Sequence, residues 1–304
     1  MSVPMLPPPD DEPTFQGTTM LDRHPTRRRG AAVLAALAAV VALFVLPTSS
    51  AGATGSRQQG STPEGSAARP TIVLVHGAWA DSSSWSAVTA RLQDRGYTVL
   101  AAPNPLRGLT SDTGYLRAFL STVAAPVILV GHSYGGAVIT GAAAGNTRVK
   151  ALVYVDAFAP ARGETVNSLV GATSALAADP ATLFDIRPYP GAPTGDGDAY
   201  LKPSVFTDSF AQDLPRRQAL LLAATQRPLT LSAGTEPAGE PAWSTIPSWY
   251  LLGTLDRIIT PQAQLAMARR AGSHIVEVRA SHVALISHPD AVEKLIVQAA
   301  TAVR

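Results

Sequence analysis

Apolar and polar positions follow two alternating patterns from Thr71 to the C-terminus. Runs such as TIVLV (Thr71–Val75) are continuously apolar, which is typical of strands buried on both faces of a parallel sheet. The segments between such runs place apolar residues three and four positions apart and often end at glycine, as helices do. The pattern predicts strands at Thr71–Val75, Tyr97–Ala102, Pro126–Gly131, Val149–Phe158, Ser248–Gly253 and His274–Ala280. It predicts helices at Trp85–Gly96, Asp112–Val123, Tyr134–Gly145, around Pro261–Arg270 and from near Pro289.

One long segment, residues 159–247, interrupts the alternation. It is rich in proline and glycine, with amphipathic pieces near Ser168–Ala178 and Phe210–Thr225. Repeated strand–helix units form mostly parallel sheets with helices on both faces. We therefore predict an α/β fold in which a mostly parallel, doubly wound sheet occupies residues 69–304. A helical cap, at about 159–247, is inserted between two strands of that sheet.

The N-terminal region has the order of features found in secretory signals. Arg27–Arg29 precede an uncharged apolar run, Ala31–Leu46, and small residues follow at Ala51 and Ala53. The run has 16 residues, fewer than the roughly 18–20 of a membrane-spanning helix. We predict that residues 1–53 are an export signal, that cleavage follows Ala53, and that the mature protein is secreted or extracytoplasmic and not membrane-bound. An uncleaved signal that anchors the protein in the membrane is the alternative.

The residues around this signal leave two further questions open. Residues 54–68 are polar, contain glycine and lack apolar periodicity, which predicts a flexible linker. Met20 is an alternative start of translation, and the paired arginines leave both the general secretory and the twin-arginine export routes open.

Composition excludes several classes of site and partner. The 304 residues are 46% hydrophobic and 15% charged, so the chain can bury a large core. The formal net charge of +2 and the scattered basic residues argue against a nucleic-acid partner. The chain has no cysteine, which excludes disulfides, thiolate metal sites and a cysteine nucleophile.

The sequence VGHSYGG (residues 130–136) follows a predicted buried strand and precedes a predicted helix. A serine on such a strand–turn–helix connection is the arrangement of a nucleophile elbow, in which glycines relieve crowding and the helix N-terminus favours an oxyanion. We predict that Ser133 is a catalytic nucleophile, with Gly131 and Gly135 permitting the turn and Gly136 packing the helix on the sheet. A serine that serves only helix–sheet packing is the alternative.

A serine nucleophile requires a general base, and His282 is the preferred candidate. It lies after the last predicted strand, at the carboxyl edge of the sheet where α/β active sites assemble. His288 is close by but already approaches the final helix. The other histidines are assigned elsewhere: His24 to the export segment, His76 to a turn, His132 to the elbow with its side chain away from the serine, and His274 to a strand.

The third catalytic member should be a carboxylate that orients the imidazole. Asp256 follows the predicted strand Ser248–Gly253 and completes the chain order Ser–Asp–His that this arrangement shows. Asp156 ends an earlier strand and is the rival. The backbone N–H groups of Ala78, in the turn after the first strand, and of Tyr134 are predicted to bind the oxyanion.

Four blocks, HGAWADSSSW, GHSYGG, GTLDRI and SHVALISHPD, together resemble the α/β-hydrolase superfamily. The resemblance runs from about Pro70 to the C-terminus and points to the capped branch with plant methyl-ester esterases and hydroxynitrile lyases. It implies a Ser–His–Asp triad, an acyl-enzyme on an ester-like substrate, and neither a metal nor an organic cofactor. The lyases of this branch carry threonine and lysine where this chain has Gly77 and Val283, which argues against cyanohydrin cleavage.

These observations predict an exported serine hydrolase, carboxylesterase-like, that acts on esters of small or medium apolar substrates. Trp79, Trp243 and Trp249 are candidate pocket walls, with core packing as their other role. A cofactor-free lyase, a C–C hydrolase or a perhydrolase could use the same fold. A non-catalytic ligand-binding module is a further alternative, against which three intact catalytic positions argue.

Overall fold

A computed structural model describes residues 69–123 and 126–303 of the chain. The strands are β1 Thr71–Val75, β2 Val99–Ala102, β3 Val127–His132, β4 Val149–Val155, β5 Phe184–Arg187, β6 Asp198–Leu201, β7 Leu229–Thr230, β8 Ser248–Gly253 and β9 His274–Val278. The α-helices are α1 Ser86–Asp94, α2 Leu109–Ser121, α3 Tyr134–Ala142, α4 Pro180–Leu183, α5 Pro203–Val205, α6 Arg216–Thr225, α7 Pro261–Arg270, α8 Ala284–Ser287 and α9 Pro289–Ala302. The predicted export signal and linker lie outside the described residues.

Six strands form one parallel sheet in the order β2-β1-β3-β4-β8-β9. Strands β1, β3 and β8 are buried along their whole length, as their continuously apolar sequences predict. Helix α1 packs against α9 and α2 packs against α3, and both α3 and α9 contact the central strands. The predicted α/β fold with a mostly parallel sheet is confirmed.

The strand order reverses between β1 and β3. From β1 the chain moves outward to β2, and it then returns to the other side of β1 to form β3 and β4. A reversal of this kind leaves a crevice at the carboxyl ends of the two central strands, where α/β proteins bind ligands. The loops after β1 and β3 both open onto this crevice, so the reversal brings the turn at Ala78 beside Ser133.

The segment between β4 and β8 contains short helices and also an antiparallel sheet in the order β5-β6-β7. These strands have only two to four residues, too few for an alternating apolar pattern to predict them. The piece near Phe210–Thr225 contains α6, whereas Ser168–Ala178 contains two single 3₁₀ turns.

The observed element boundaries differ from the predicted ones by a few residues. Helix α2 begins at Leu109, three residues before the predicted start, and β3 continues to His132. Within the described part of the chain, no helix combines the length and apolarity needed to cross a membrane.

Candidate active site

Ser133 occupies a strained turn between β3 and α3. Its backbone has φ 52° and ψ −124°, a conformation that residues with a side chain rarely adopt. The residue is buried, with 2% of its surface exposed, and it lines a large internal cavity. The turn therefore presents the Ser133 hydroxyl to the cavity at the N-terminus of α3.

Close backbone approaches on both sides explain the glycines around this turn. A Cβ on Gly135 would lie 2.6 Å from the Val75 carbonyl oxygen, and one on Gly77 would lie 2.6 Å from the Ser133 Cβ. A Cβ on Gly136 would lie 2.5 Å from the Phe158 carbonyl oxygen, where α3 meets the chain after β4. Small residues are required because any side chain here would displace the serine or separate the helix from the sheet.

His282 lies in the loop after β9, with its ring fully buried between Ser133 and Asp256. Its Nε2 is 2.8 Å from Ser133 Oγ, and its Nδ1 is 2.7 Å from Asp256 Oδ2. When Nδ1–H donates to the carboxylate, Nε2 is free to accept from the serine hydroxyl. Burial lowers the pKa of His282 to about 3, so the resting imidazole is neutral and can take a proton.

Asp256 is held by four donors in the loop between β8 and α7. Besides His282, Oδ1 accepts from the N–H groups of Ile258 at 2.7 Å and Ile259 at 3.0 Å, and Oδ2 accepts from Gln264 Nε2 at 2.7 Å. Burial raises the pKa of Asp256, whereas the donors from Ile258, Ile259 and Gln264 act in the opposite direction. These bonds fix the orientation of the carboxylate toward the imidazole.

Asp156, the alternative candidate for the catalytic carboxylate, lies near Asp256 and has a different hydrogen-bond partner. Its Oδ2 accepts from the Ala284 N–H at 3.1 Å, and its Oδ1 has no hydrogen-bond partner among the described residues. Burial, and next the neighbouring Asp256 carboxyl, raise the pKa of Asp156 well above its ordinary value. The structure therefore places Asp256, and not Asp156, within hydrogen-bond distance of the His282 ring.

The remaining candidate histidines lie in other environments. His288 Nδ1 pairs with Ser287 Oγ at 2.9 Å, and the His274 ring stacks on Trp249. His76 Nδ1 lies 2.9 Å from the Gly77 carbonyl oxygen, and its Nε2 accepts from the Asn104 N–H at 3.3 Å. No hydrogen bond within the described residues links any of these histidines to Ser133.

Two side chains support the proposed catalytic residues in ways that the sequence did not predict. His132 Nε2 donates to the His282 carbonyl oxygen at 2.8 Å, and the two rings lie 5.0 Å apart, so His132 holds the backbone of the neighbouring histidine. Gln264 supports Asp256 from α7 and is fully buried. The position of His132 beside the serine in the motif is a sequence signal for its role, whereas no sequence signal distinguishes Gln264 from an ordinary helix residue.

A cavity of about 520 Å³ lies above Ser133, between the sheet and the cap. Ala78 and Tyr134, which carry the predicted oxyanion N–H groups, line it together with the serine. No charged side chain lines this cavity within the described residues, and its walls include Trp79, Phe158, Val166, Val170, Phe184 and Leu229. The volume falls within the range of small-molecule sites, and the lining favours an apolar, uncharged ligand.

Among the three candidate tryptophans, only Trp79 lines the cavity. Its Nε1 donates to the Ala199 carbonyl oxygen at 2.9 Å, and its ring stacks on Phe184 at 5.8 Å. Its backbone N–H donates to the Arg227 carbonyl oxygen, which joins the turn after β1 to the cap. Trp243 donates to the Pro160 carbonyl oxygen, so it packs away from the site, as does Trp249 in β8.

Comparisons with known proteins agree with the α/β fold. The sequence model of the α/β hydrolase family matches residues 72–295. A carbendazim-hydrolysing esterase of Nocardioides sp. is 38% identical over 113 residues, and the match spans 33% of this chain and 46% of that esterase. Methylesterase 17 of Arabidopsis thaliana is 25% identical over 77% of this chain and 92% of its own length.

A solved structure has the same fold. An extracellular α/β-hydrolase from a Paenibacillus species, described as homologous to tobacco salicylic acid binding protein 2, superposes with a TM-score of 0.59. The two chains are 23% identical, and the superposition covers 76% of this chain and 98% of the other.

Proposed function

Because the chain belongs to the α/β hydrolase family, we propose that it is a serine hydrolase that cleaves carboxylic esters of small or medium apolar substrates. Family membership confirms the resemblance drawn from the four sequence blocks. The observation that carries the proposal is the hydrogen-bonded chain from Ser133 through His282 to Asp256 at the wall of a largely apolar cavity.

The reaction divides into acylation and deacylation. Ser133 Oγ attacks the ester carbonyl carbon while His282 Nε2 takes the hydroxyl proton. The bond to the alcohol oxygen then breaks, the alcohol leaves with that proton, and an acyl-enzyme remains on Ser133. Water, deprotonated by the same imidazole, attacks the acyl carbon, and the carboxylic acid leaves as Ser133 regains its proton.

Two backbone N–H groups are placed to stabilise the negative charge that develops on the carbonyl oxygen. Ala78 lies in the turn after β1, and Tyr134 is the first residue of α3, directly after the nucleophile. Both border the cavity beside Ser133. N–H groups that are fixed before the reaction stabilise the oxyanion without reorganisation, and removal of one such donor costs about 10²–10³-fold in kcat.

The cavity supports a neutral substrate. Its volume of about 520 Å³ accommodates an ester with a medium-sized acyl or alkyl group, and its walls are largely aliphatic and aromatic. A charged group would be desolvated there without a partner, which is unfavourable. The names of two relatives, a carbendazim-hydrolysing esterase and a methylesterase, are consistent with ester cleavage.

Covalent labelling tests the nucleophile. A fluorophosphonate probe should attach to Ser133 in the folded wild-type protein, with peptide mass spectrometry locating the adduct, and Ser133→Ala should abolish both labelling and ester hydrolysis. Circular dichroism of the variant controls for folding. A folded wild-type protein that remains unlabelled would overturn the proposal.

A substrate panel tests the reaction class. p-Nitrophenyl butyrate should be hydrolysed with a kcat/KM at least tenfold above that of p-nitrophenyl hemisuccinate, which has a similar size but carries a carboxylate. A cyanohydrin and a diketone in the same panel should not react. Turnover of either one without ester hydrolysis would replace the esterase with a lyase or a C–C hydrolase on the same fold.

Export is part of the proposal. The order of arginines, apolar run and small residues in residues 27–53 supports a secretory signal. The structurally similar Paenibacillus hydrolase is described as extracellular, which is consistent with this location. The enzyme would then meet its substrate outside the cytoplasm.

A further inference from the structure

The cap contacts both loops that carry the catalytic side chains. A cap segment, residues 206–213, consists of a short π-helix, Phe206–Phe210, and the turn that follows it. Gln212 Nε2 donates to the Leu255 carbonyl oxygen at 2.7 Å, next to Asp256. The Phe210 ring lies 5.0 Å from the His282 ring at an interplanar angle of 62°. The same eight residues therefore contact the loop of the acid and the ring of the base.

The strongest contact of this segment is made by Asp213. Its Oδ2 accepts from the Ser281 N–H at 2.9 Å, and its Oδ1 accepts from the Ser281 hydroxyl. Ser281 is fully buried and directly precedes His282. Two hydrogen bonds donated to one carboxylate thus fix both the backbone and the side chain of the residue next to the proposed base, and bonds to a charged acceptor are stronger than neutral ones.

A second contact restrains the C-terminal side of the pair Ser281–His282. His132 donates to the carbonyl oxygen of His282, so the peptide unit before Ser281 and the peptide unit after His282 are both restrained. The restraint before the ring comes from the cap, 68 residues away in sequence, whereas the restraint after it comes from the sheet. Without Asp213, the backbone before His282 would keep the hydrogen bond from the Leu255 N–H to the Ala280 carbonyl oxygen, at 3.0 Å, and would lose both bonds between the cap and Ser281.

We propose that Asp213 is a positioning residue of the cap that sets the orientation of the His282 ring toward Ser133 through its two hydrogen bonds to Ser281. The inference rests on the proposed function, because the ring orientation matters for catalysis only if His282 acts as the base. It makes the cap a part of the catalytic apparatus as well as a cover for the substrate. A misplacement of about 1 Å in a reacting group can lower a rate by about 100-fold.

Substitution of Asp213 tests the proposal by its effect on kcat against KM. Asp213→Ala removes both acceptors and should lower kcat by about 10- to 100-fold while KM changes less than about threefold, because the residue does not line the cavity. Asp213→Asn retains one acceptor and should restore part of the loss. Asp208→Ala is the matched control in the same segment, since the Asp208 side chain bonds only Thr207 within the described residues, and should retain wild-type kcat.

A double-mutant cycle tests whether Asp213 and Ser281 act on kcat as one unit. Ser281→Ala removes the hydroxyl that bonds Asp213 and should lower kcat less than Asp213→Ala does. If the two side chains act together, the double variant should lose little more than Asp213→Ala alone, because the other bond of the hydroxyl, accepted from the Val283 N–H at 3.4 Å, is long and therefore weak. Additive losses, or an Asp213→Ala variant with wild-type kcat, would overturn the inference.

Hydrogen exchange gives a readout that does not depend on turnover. The peptide that contains residues 279–286 should exchange faster in Asp213→Ala than in wild type, whereas peptides from α9 should not change. If the wild-type enzyme is inactive but the variant exchanges faster, the proposed function is contradicted. The stabilising contact between Asp213 and Ser281 is then still supported. An active wild-type enzyme with unchanged exchange and unchanged kcat would contradict the role of Asp213 alone.

Discussion

At the scale of single residues, the site contains two buried aspartates that differ in what they contact. Asp256 meets the His282 ring and three further donors, whereas Asp156 meets one backbone N–H and lies close to the Asp256 loop. Two carboxylates buried this close do not both ionise at neutral pH at low cost. We expect the carboxyl with more donors to retain the charge, which makes Asp256 the expected carboxylate and Asp156 the expected neutral acid.

This difference predicts opposite outcomes for the same chemical change. Asp256→Asn should lower kcat by about 10³–10⁴-fold, because the amide cannot stabilise the imidazolium and favours the wrong tautomer. Asp156→Asn should retain kcat within about threefold, since an amide replaces a neutral carboxyl of the same shape and still accepts from Ala284. Steady-state kinetics of both variants on p-nitrophenyl butyrate measures the contrast. Equal losses in the two would assign a catalytic charge to Asp156 as well.

At the scale of elements, the turns after β1 and β3 interlock through residues that have no side chain. Gly77 approaches the Ser133 Cβ, and Gly135 approaches the carbonyl of Val75. These contacts fix the distance between the turn that holds Ala78 and the start of α3. The proposed oxyanion N–H groups and the proposed nucleophile are therefore positioned together by the packing of two loops.

A single methyl group added between these loops should disturb the site. Gly77→Ala would place a Cβ 2.6 Å from the Ser133 Cβ and 2.9 Å from the His132 carbonyl oxygen. We expect kcat/KM to fall by at least about tenfold and the free energy of unfolding to fall by about 1–3 kcal/mol. Initial rates and urea denaturation provide the two measurements.

The same substitution elsewhere provides the control. Gly114 lies within α2, and a Cβ there would meet no atom within 4 Å. Gly114→Ala should keep wild-type activity and raise the free energy of unfolding by about 0.5–1 kcal/mol, because alanine has a higher helix propensity. Wild-type kcat/KM in Gly77→Ala would show that the loops adjust without cost to the site.

Elements with a strong local pattern could be predicted from the sequence, and elements without one could not. The main strands have continuous apolar runs, and the three catalytic candidates follow strand ends, which meet at one edge of a parallel sheet. Strands β5 to β7 are too short to have a pattern, and their pairing depends on the packing of the cap. Asp213 and Gln264 were missed because their contacts span positions that the sequence does not relate to each other.

At the scale of the whole molecule, the cap lines the cavity and also bonds to the loops beneath it. Trp79 is joined to the cap through Arg227 and Ala199, and Ser281 is joined to it through Asp213. Both the turn beside the nucleophile and the loop of the base therefore depend on the same insertion. A change of cap sequence is then expected to alter turnover as well as substrate preference.

The predicted export signal leads to a prediction about the whole chain. Produced from the full gene in a bacterial host with both export routes, the enzyme should accumulate outside the cytoplasm as a protein that begins at Thr54, with the N-terminal sequence TGSRQ. The reason is the placement of small residues at Ala51 and Ala53, which signal cleavage requires. N-terminal sequencing and intact-mass measurement of the secreted protein determine the cleavage site.

A variant at the cleavage site tests whether cleavage depends on the small residue at Ala53. Ala53→Phe places a large ring where a small residue is needed, so the signal should stay attached and hold the enzyme in the membrane fraction with its activity intact. Ala68→Phe, a matched change beyond the signal, should leave secretion unchanged. If the wild-type enzyme itself fractionates with membranes and retains residues before Thr54, the uncleaved anchor is the correct interpretation, and the enzyme acts at the membrane surface rather than free in the medium.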